Sequence, residues 1–341
     1  MSNRDVLAIG ASAGGVEALM CLARHFPPDF AAAVLATIHL SPYYSSSLST
    51  ILSNAGPLPA KFAADGTPVE RGTIHLAPSD HHLIMDGERL WLGDGPRENN
   101  SRPAIDPMLR SVAACCGARA VGVVLTGTLG DGASGLWTIG ELGGCTVVQD
   151  PDDAAFIEMP INALKLTQPD HVVALDDMPA LLTRLAHQQA GDPKPISNRL
   201  SMELKIARGS NVGFGNMDRI GRRSVFTCPN CGGAMWEIDE GNVSRFRCHV
   251  GHAYTNELMG LALDENLYRA MATALRTLED RAELATKLQR EAEDRRQQHA
   301  AATWAAKSNE FRREVAVIEG ALHRMDEIAA MRNGRGRPLP E

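Results

Sequence analysis

Short, wholly apolar runs alternate with helically spaced segments through the first 190 residues, and few folds tolerate that pattern. Val6 to Ala11 is apolar and runs into glycines, Val16 to His25 has helical spacing, and Ala32 to Leu40 is apolar again. Gly72 to Pro78 and Leu83 to Leu92 read as strands, with a turn at Asp86-Gly87. Asp106 to Cys116 is helical, Ala120 to Thr126 is a strongly apolar strand, and Ala133 to Leu142 is helical. Cys145 to Gln149 and His171 to Leu175 are further strands, and a helix over 178–189 closes the unit. Strands buried on both faces lack polar alternation. The pattern therefore predicts an α/β domain over residues 1–190 with a doubly wound, mainly parallel sheet.

The remainder is a different object. Residues 1–190 hold 11 Lys and Arg against 20 Asp and Glu, whereas the other 151 hold 23 against 21, so the acidity is confined to the first part. Residues 191–225 are polar, with Pro193, Pro195, Gly209, Gly213, Gly215 and Gly221, and read as a linker of low order. A small Cys/His unit follows over 226–254. Residues 255–332 are rich in Ala, Leu, Glu and Arg. Leu267, Met271, Leu275, Leu278, Leu284 and Leu288 fit one stripe, and Phe311, Val315, Ile318, Leu322 and Met325 a second. Two long helices in a hairpin are expected, with a heptad signal too irregular for a coiled coil. The tail over 333–341 reads as disordered.

No apolar run reaches the ~18 residues of a membrane span, so no membrane insertion is expected. The first five residues show no basic region leading into a secretory signal, and seven cysteines do not suit a secreted disulfide framework. A cytoplasmic location is expected. Cys21, Cys115, Cys116 and Cys145 sit in apolar patterns and read as buried free thiols. A net charge of −7 argues against nucleic acid as the main partner.

Gly10-Ala11-Ser12-Ala13-Gly14-Gly15 lies between a buried strand and a helix. A dinucleotide fingerprint needs glycine where Ser12 stands and an acidic residue after the second strand, which instead ends in His39. The other reading makes Ser12 a nucleophile at the carboxyl edge of the sheet. Its hydroxyl then needs a base. His39 ends the second strand, and Asp131 follows the strand over 120–126, flanked by Gly130 and Gly132. Ser, His and Asp on one rim are the parts of a hydrolytic triad. The competing reading makes Ser12 and Asp131 helix N-caps and His39 a surface residue.

Cys228-Pro229-Asn230-Cys231 precedes Cys248-His249-Val250-Gly251-His252. A C-x-x-C turn offers two thiolates to one ion, and a second pair after 16 intervening residues completes a tetrahedral set. A structural zinc site of Cys228, Cys231, Cys248 and His252 is expected, with His249 as the alternative fourth ligand. Metal would stabilise a unit too small to fold on its own core.

Residues 5 to about 185 resemble the catalytic domain of the chemotaxis protein-glutamate methylesterases, the CheB type. The matching segments are Ile9 to Gly15, Ile38-His39-Leu40, Leu76 to His82, Arg102 to Pro107, Leu125 to Ala133 and Glu158-Met159-Pro160, in the family's order. The resemblance implies Ser12 as nucleophile, His39 as base and Asp131 as its orienting carboxylate. It implies hydrolysis of glutamate γ-methyl esters on methyl-accepting chemotaxis-type receptors, and deamidation of receptor glutamines by the same acyl chemistry. Gly14, Thr128 and Leu129 become oxyanion candidates. His82 and Arg102 become candidates for substrate positioning, with a structural role the competing reading. The family often has Met where Thr128 stands, which bears on substrate fit. Many members carry a receiver domain ahead of this one; here the sequence opens on the first strand, so phosphorylation in cis is not expected. The Cys/His unit resembles zinc-ribbon tails of some members. The apolar helices could dock on another copy as a homodimer, on the catalytic domain, or on other signalling proteins. The alternative function is a non-catalytic zinc and helix interaction protein with an esterase-like scaffold.

Overall fold

The computed structural model describes residues 3–41, 46–210, 213–241 and 243–332. The expected tail over 333–341 lies outside the described residues. The chain divides into two compact units, Met1–Met259 and Gly260–Glu341.

Seven strands form the main sheet of the first unit. They are β1 (Val6–Ala11), β2 (Ala33–Ile38), β3 (Ala60–Phe62), β5 (Ile74–Leu76), β8 (Ala120–Val124), β9 (Cys145–Gln149) and β10 (His171–Val173), in the order β10-β9-β8-β1-β2-β5-β3. All pairings are parallel. β1, β2, β8 and β9 are buried at every position, which explains their unbroken apolar sequence. α1 (Gly15–His25), α2 (Leu48–Ala55) and α6 (Met178–Ala186) cover one face, and α3 (Ile105–Cys116), α4 (Ala133–Glu141) and α5 (Glu158–Leu166) the other. A small antiparallel sheet of β4 (Thr67–Pro68), β7 (Arg89–Gly93) and β6 (His82–Asp86) packs beside α3.

From β1 the chain moves to β2 on one side and later to β8 on the other. That reversal opens a crevice at the carboxyl ends of β1 and β8, where α/β sheets place ligands. Gly10 sits there because α3 crosses it closely: a Cβ would lie 2.2 Å from Cγ2 of Ile105.

The stretch over 191–225 is more ordered than a linker. α7 (Asn198–Ala207) is capped by the Ser197 hydroxyl accepting from Leu200 N–H, and it packs on α3 and β6. α8 (Phe214–Met217) follows, and β11 (Arg222–Thr227) begins inside the same stretch. Linker-like composition hid α7 because its buried residues are only Leu200, Glu203, Ile206 and Ala207, one of them charged. β11, β12 (Ala234–Glu240), β13 (Val243–Cys248) and β14 (Ala253–Thr255) form an antiparallel sheet belonging to the same compact unit.

The second unit is a helical hairpin. α9 (Asn256–Asp294) enters it at Gly260 and pairs with α10 (Gln298–Arg332). Thr286 meets Ser308 at 2.9 Å, and the Arg281 guanidinium lies 4.2 Å from the Phe311 ring centre, so the helices run antiparallel. Covered positions 271, 275, 278, 282, 285, 289 and 292 recur at alternating four and three, as in a coiled coil. Leu267 and Leu284, expected in the stripe, are instead 52% and 56% exposed. Ala282, Ala285, Ala292, Ala301 and Ser308 fill the seam, and such small residues mask a heptad in sequence.

Candidate active site and metal centre

Three loops from the carboxyl edge meet over the crevice. Ser12 follows β1, His39 follows β2, and Asp131 lies in the loop between β8 and α4. Ser12 Oγ is 3.0 Å from His39 Nδ1, and His39 Nε2 is 2.7 Å from Asp131 Oδ2. Asp131 is buried, while the His39 side chain keeps 23% of its exposure. A carboxylate facing Nε2 fixes the proton there and leaves Nδ1 to accept from the serine hydroxyl.

The glycines around Ser12 are there for space and conformation. Gly14 has φ +73°, a left-handed conformation, and a Cβ on it would crowd Ala155 and Thr126. Ser12 N–H donates to Thr126 O, and the Thr126 hydroxyl donates to Ala13 O, tying the two loops together. Ser12 is therefore not a side-chain cap of α1, whose N-cap is Gly14.

Asp131 is held by more than His39. Its Oδ1 accepts from Asn99 Nδ2 at 3.0 Å, Asp106 N at 3.1 Å and Gly132 N at 3.0 Å, and its Oδ2 accepts from Ile105 N at 2.7 Å. Burial pushes this carboxyl up, but the hydrogen bond and charge of His39, with the Ile105 and Asn99 donors, outweigh it. The result lies below the ordinary carboxylate range. The neighbouring Asp106 goes the other way. Burial and then the charge of Asp131 push it up to about 8. Asp106 Oδ1 accepts from Gly132 and Gly135 at the start of α4. Gly132 N–H is thus shared between the two carboxyls, and Asp106 alone reaches Gly135 in the first turn of that helix.

Among the oxyanion candidates, the N–H groups of Gly14 and Thr128 have no hydrogen-bond partner among the described residues. Leu129, at φ +65°, donates its N–H to Glu158 Oε2 at 2.7 Å. His82 is fully buried. Its Nε2 bonds Pro96 O at 3.1 Å and its Nδ1 accepts from Ala104 N at 3.2 Å, so it reaches substrate only through those segments. Arg102 binds Asp80 Oδ1 and the carbonyls of Asp94 and Gly95, joining two loops.

Cys228, Cys231, Cys248 and His252 bring their ligand atoms within 4.8 Å of one another. His252 Nδ1 lies 3.7 Å from Cys228 Sγ and 3.5 Å from Cys248 Sγ. Cys231 Sγ and Cys248 Sγ are 3.7 Å apart, matching the ~3.8 Å edge of a tetrahedron with ~2.3 Å metal–sulfur bonds. His249 is not in the cluster; its ring packs against Phe214. Four protein ligands fill a tetrahedron, so this set can hold a metal but offers it no open position.

A buried ionic chain that sequence reasoning missed joins this sheet to the α/β core. Glu98 pairs with Arg110 of α3 and, at 2.8 Å, with Arg247 of β13. Glu203 of α7 pairs with Arg245 and Arg247, and Arg245 with Glu240 at 2.7 Å. Burial would raise Glu98, but Arg110 and Arg247 hold it well below the usual range; Glu203 is lowered to about 2, burial again outweighed by its arginines. Scattered charges at separations of up to 149 residues give no local signal. Segment 97–99 also pairs with β14: Asn99 N–H donates to Ala253 O at 2.8 Å, and Thr255 N–H to Asn99 Oδ1 at 3.2 Å.

The family model described as CheB methylesterase matches residues 7–182. A protein-glutamate methylesterase/protein-glutamine glutaminase 2 of Xanthomonas oryzae pv. oryzae is 41% identical over 188 residues, 54% of this chain and 52% of that protein. One from Methanosarcina mazei is 37% identical over 185 residues, 52% of this chain and 50% of that protein. The chain thus spans about half the length of the curated relatives it matches. The crystal structure of the Thermotoga maritima CheB methylesterase catalytic domain superposes with a TM-score of 0.52 at 28% identity. It covers 54% of this chain and 100% of that one. An ordered rim at the β1/β8 crevice, a family match across the whole α/β domain and a solved structure with the same fold agree: this chain belongs to the CheB methylesterase family.

Proposed function

We propose that the chain hydrolyses glutamate γ-methyl esters on chemotaxis-type receptors to glutamate and methanol, with Ser12, His39 and Asp131 as the catalytic triad. The observation that carries this reading is the unbroken hydrogen-bonded path from Ser12 Oγ through His39 to the buried Asp131. His39 Nδ1 takes the hydroxyl proton as Ser12 Oγ attacks the ester carbonyl carbon. The same proton then goes to the departing methoxide oxygen, which leaves as methanol. Water, deprotonated by His39, attacks the acyl-serine carbon; the bond to Ser12 Oγ breaks, His39 returns the proton to Oγ, and the glutamate carboxylate is released. Asp131 fixes the Nε2–H tautomer and stabilises the imidazolium.

Gly14 and Thr128 N–H are the proposed oxyanion donors, because each is free to take a new acceptor. Leu129 N–H would have to leave Glu158 first. One such donor accounts for about 3–4 kcal/mol in other hydrolases. His82 and Arg102 would act by holding the loops around Pro96 and Asp80. A primary amide can follow the same path with ammonia as leaving group, which extends the proposal to receptor glutamines.

Zinc is the proposed occupant of the Cys228, Cys231, Cys248 and His252 set, since three thiolates and an imidazole in a closed tetrahedron suit it. Its proposed role is to hold the β11–β14 sheet together. Among the described residues no helix is long and apolar enough to cross a membrane. Exposed Leu267, Tyr268 and Val317 on the hairpin would serve contacts with other signalling proteins or a second copy. The test is methanol release from methyl-labelled receptor membranes by the wild type and by Ser12→Ala.

A further inference from the structure

We propose that Asn99 is a positioning residue for the Asp131 carboxylate and that it is itself set by the Cys/His unit, so that the metal-binding sheet helps to orient the triad. The proposal rests on the triad reading above and adds a control element to it. The Asn99 side chain has three fixed partners. One amide hydrogen goes to Asp131 Oδ1 and the other to Asp106 Oδ2, each at 3.0 Å. Its Oδ1 accepts from Thr255 N–H at 3.2 Å. An amide cannot turn over in that setting, because its nitrogen would then face a donor and its oxygen two carboxyls.

Thr255 ends β14, three residues after the metal-ligand candidate His252. Asn99 N–H is bound by Ala253 O on the same strand, and the adjacent Glu98 is clamped by Arg247 of β13, one residue before Cys248. A relay of one residue therefore separates the triad carboxylate from the metal-binding sheet. Asn99 holds the left-handed φ of +51° and Asn100 +61°, a conformation that asparagine tolerates better than most residues. Asp131 keeps its backbone donors if this relay is lost. The expected effect is thus misorientation of His39 and slower chemistry, with the protein still folded.

The experiment uses the full chain. The proton shared by His39 Nε2 and Asp131 is followed by nitrogen-15 and proton NMR, assigned by its loss in His39→Gln. Three perturbations are compared: Asn99→Ala, Thr255→Pro, which deletes the N–H that Asn99 accepts, together with the hydroxyl that accepts from Leu258 N–H, and leaves Asn99 in place, and removal of metal by a chelator. Circular dichroism checks that each remains folded. The expected result is a shifted or broadened His39 proton in all three, with kcat for ester hydrolysis lowered about tenfold in the two variants and KM within twofold. Restoring the metal should restore the proton signal. An unmoved His39 proton in folded Asn99→Ala and Thr255→Pro overturns the proposal. The NMR signal needs no substrate, so an absence of ester hydrolysis in the wild type contradicts the proposed function alone.

Discussion

Gly127 and Ser12 are packed so closely that a Cβ on Gly127 would lie 2.8 Å from the Cβ of Ser12 and 2.1 Å from Sδ of Met159. The loop after β8 can reach the loop after β1 only because position 127 has no side chain. Gly127 also donates to Phe156 O and accepts from Met159 N–H, so its backbone cannot retreat. Gly127→Ala should displace Ser12 by a few tenths of an ångström or more. Ester hydrolysis should fall about 100-fold, with a stability loss of about 1–3 kcal/mol. Steady-state kinetics and urea unfolding read the two effects. Wild-type kcat in Gly127→Ala would contradict the packing.

Glu98→Gln should be among the most destabilising substitutions in the buried ionic chain. It leaves the buried Arg110 and Arg247 short of a counter-charge, at a cost of about 3–5 kcal/mol. The pH dependence has a definite sign. The folded protein holds Glu98 below its usual 4.5, so this stabilisation is present above that value and is lost as pH falls through the folded one. Urea unfolding should show a wide gap between wild type and variant at pH 7 that narrows below about pH 4.5. A gap unchanged between pH 7 and pH 3 would refute the assignment.

Asp106 gives the opposite slope. Its carboxyl is raised to about 8 in the folded chain from an ordinary 3.8, so the folded state holds a proton that the unfolded state has released. Between those values its contribution to stability declines as pH rises. Asp106→Asn removes that titration. It also sets an amide against that of Asn99, which lowers stability by a constant amount. The variant should therefore be less stable than wild type at pH 5 and gain on it steadily to pH 8. Parallel stability curves would contradict the raised carboxyl.

Metal removal should lower the melting temperature by at least about 5 °C, given 2–4 °C per kcal/mol for a unit of this size. Cys248→Ser should abolish binding of one metal per chain, and His249→Ala should leave it intact, because His252 and not His249 faces the thiols. Metal content by elemental analysis decides between them. Equal loss in both variants would mean that the fourth ligand differs.

The sheet was legible because β1, β2, β8 and β9 are apolar throughout and end in marked turns. The three strand ends that carry Ser12, His39 and Asp131 were legible for the same reason. The parts of the site drawn from Asn99, Asp106 and Glu98 were not. Asp106 read as the first residue of a helix, and the Asn99 and Glu98 partners lie from 7 to 156 residues away. A buried polar group in a loop carries no periodicity. The hairpin shows a third case: its seam has heptad spacing, but alanine and serine occupy key positions, and apolar patterning weights those residues little. α7 was hidden likewise, since Glu203 is buried only because Arg245 and Arg247 meet it.

The most direct test of the account is methanol release from methyl-labelled chemoreceptor membranes by the folded, metal-loaded full chain and by Ser12→Ala. The account predicts release by the wild type and a fall of about 10⁴-fold or more in the variant, as for loss of a triad member elsewhere. Equal release by both, or none by the folded wild type, would contradict it.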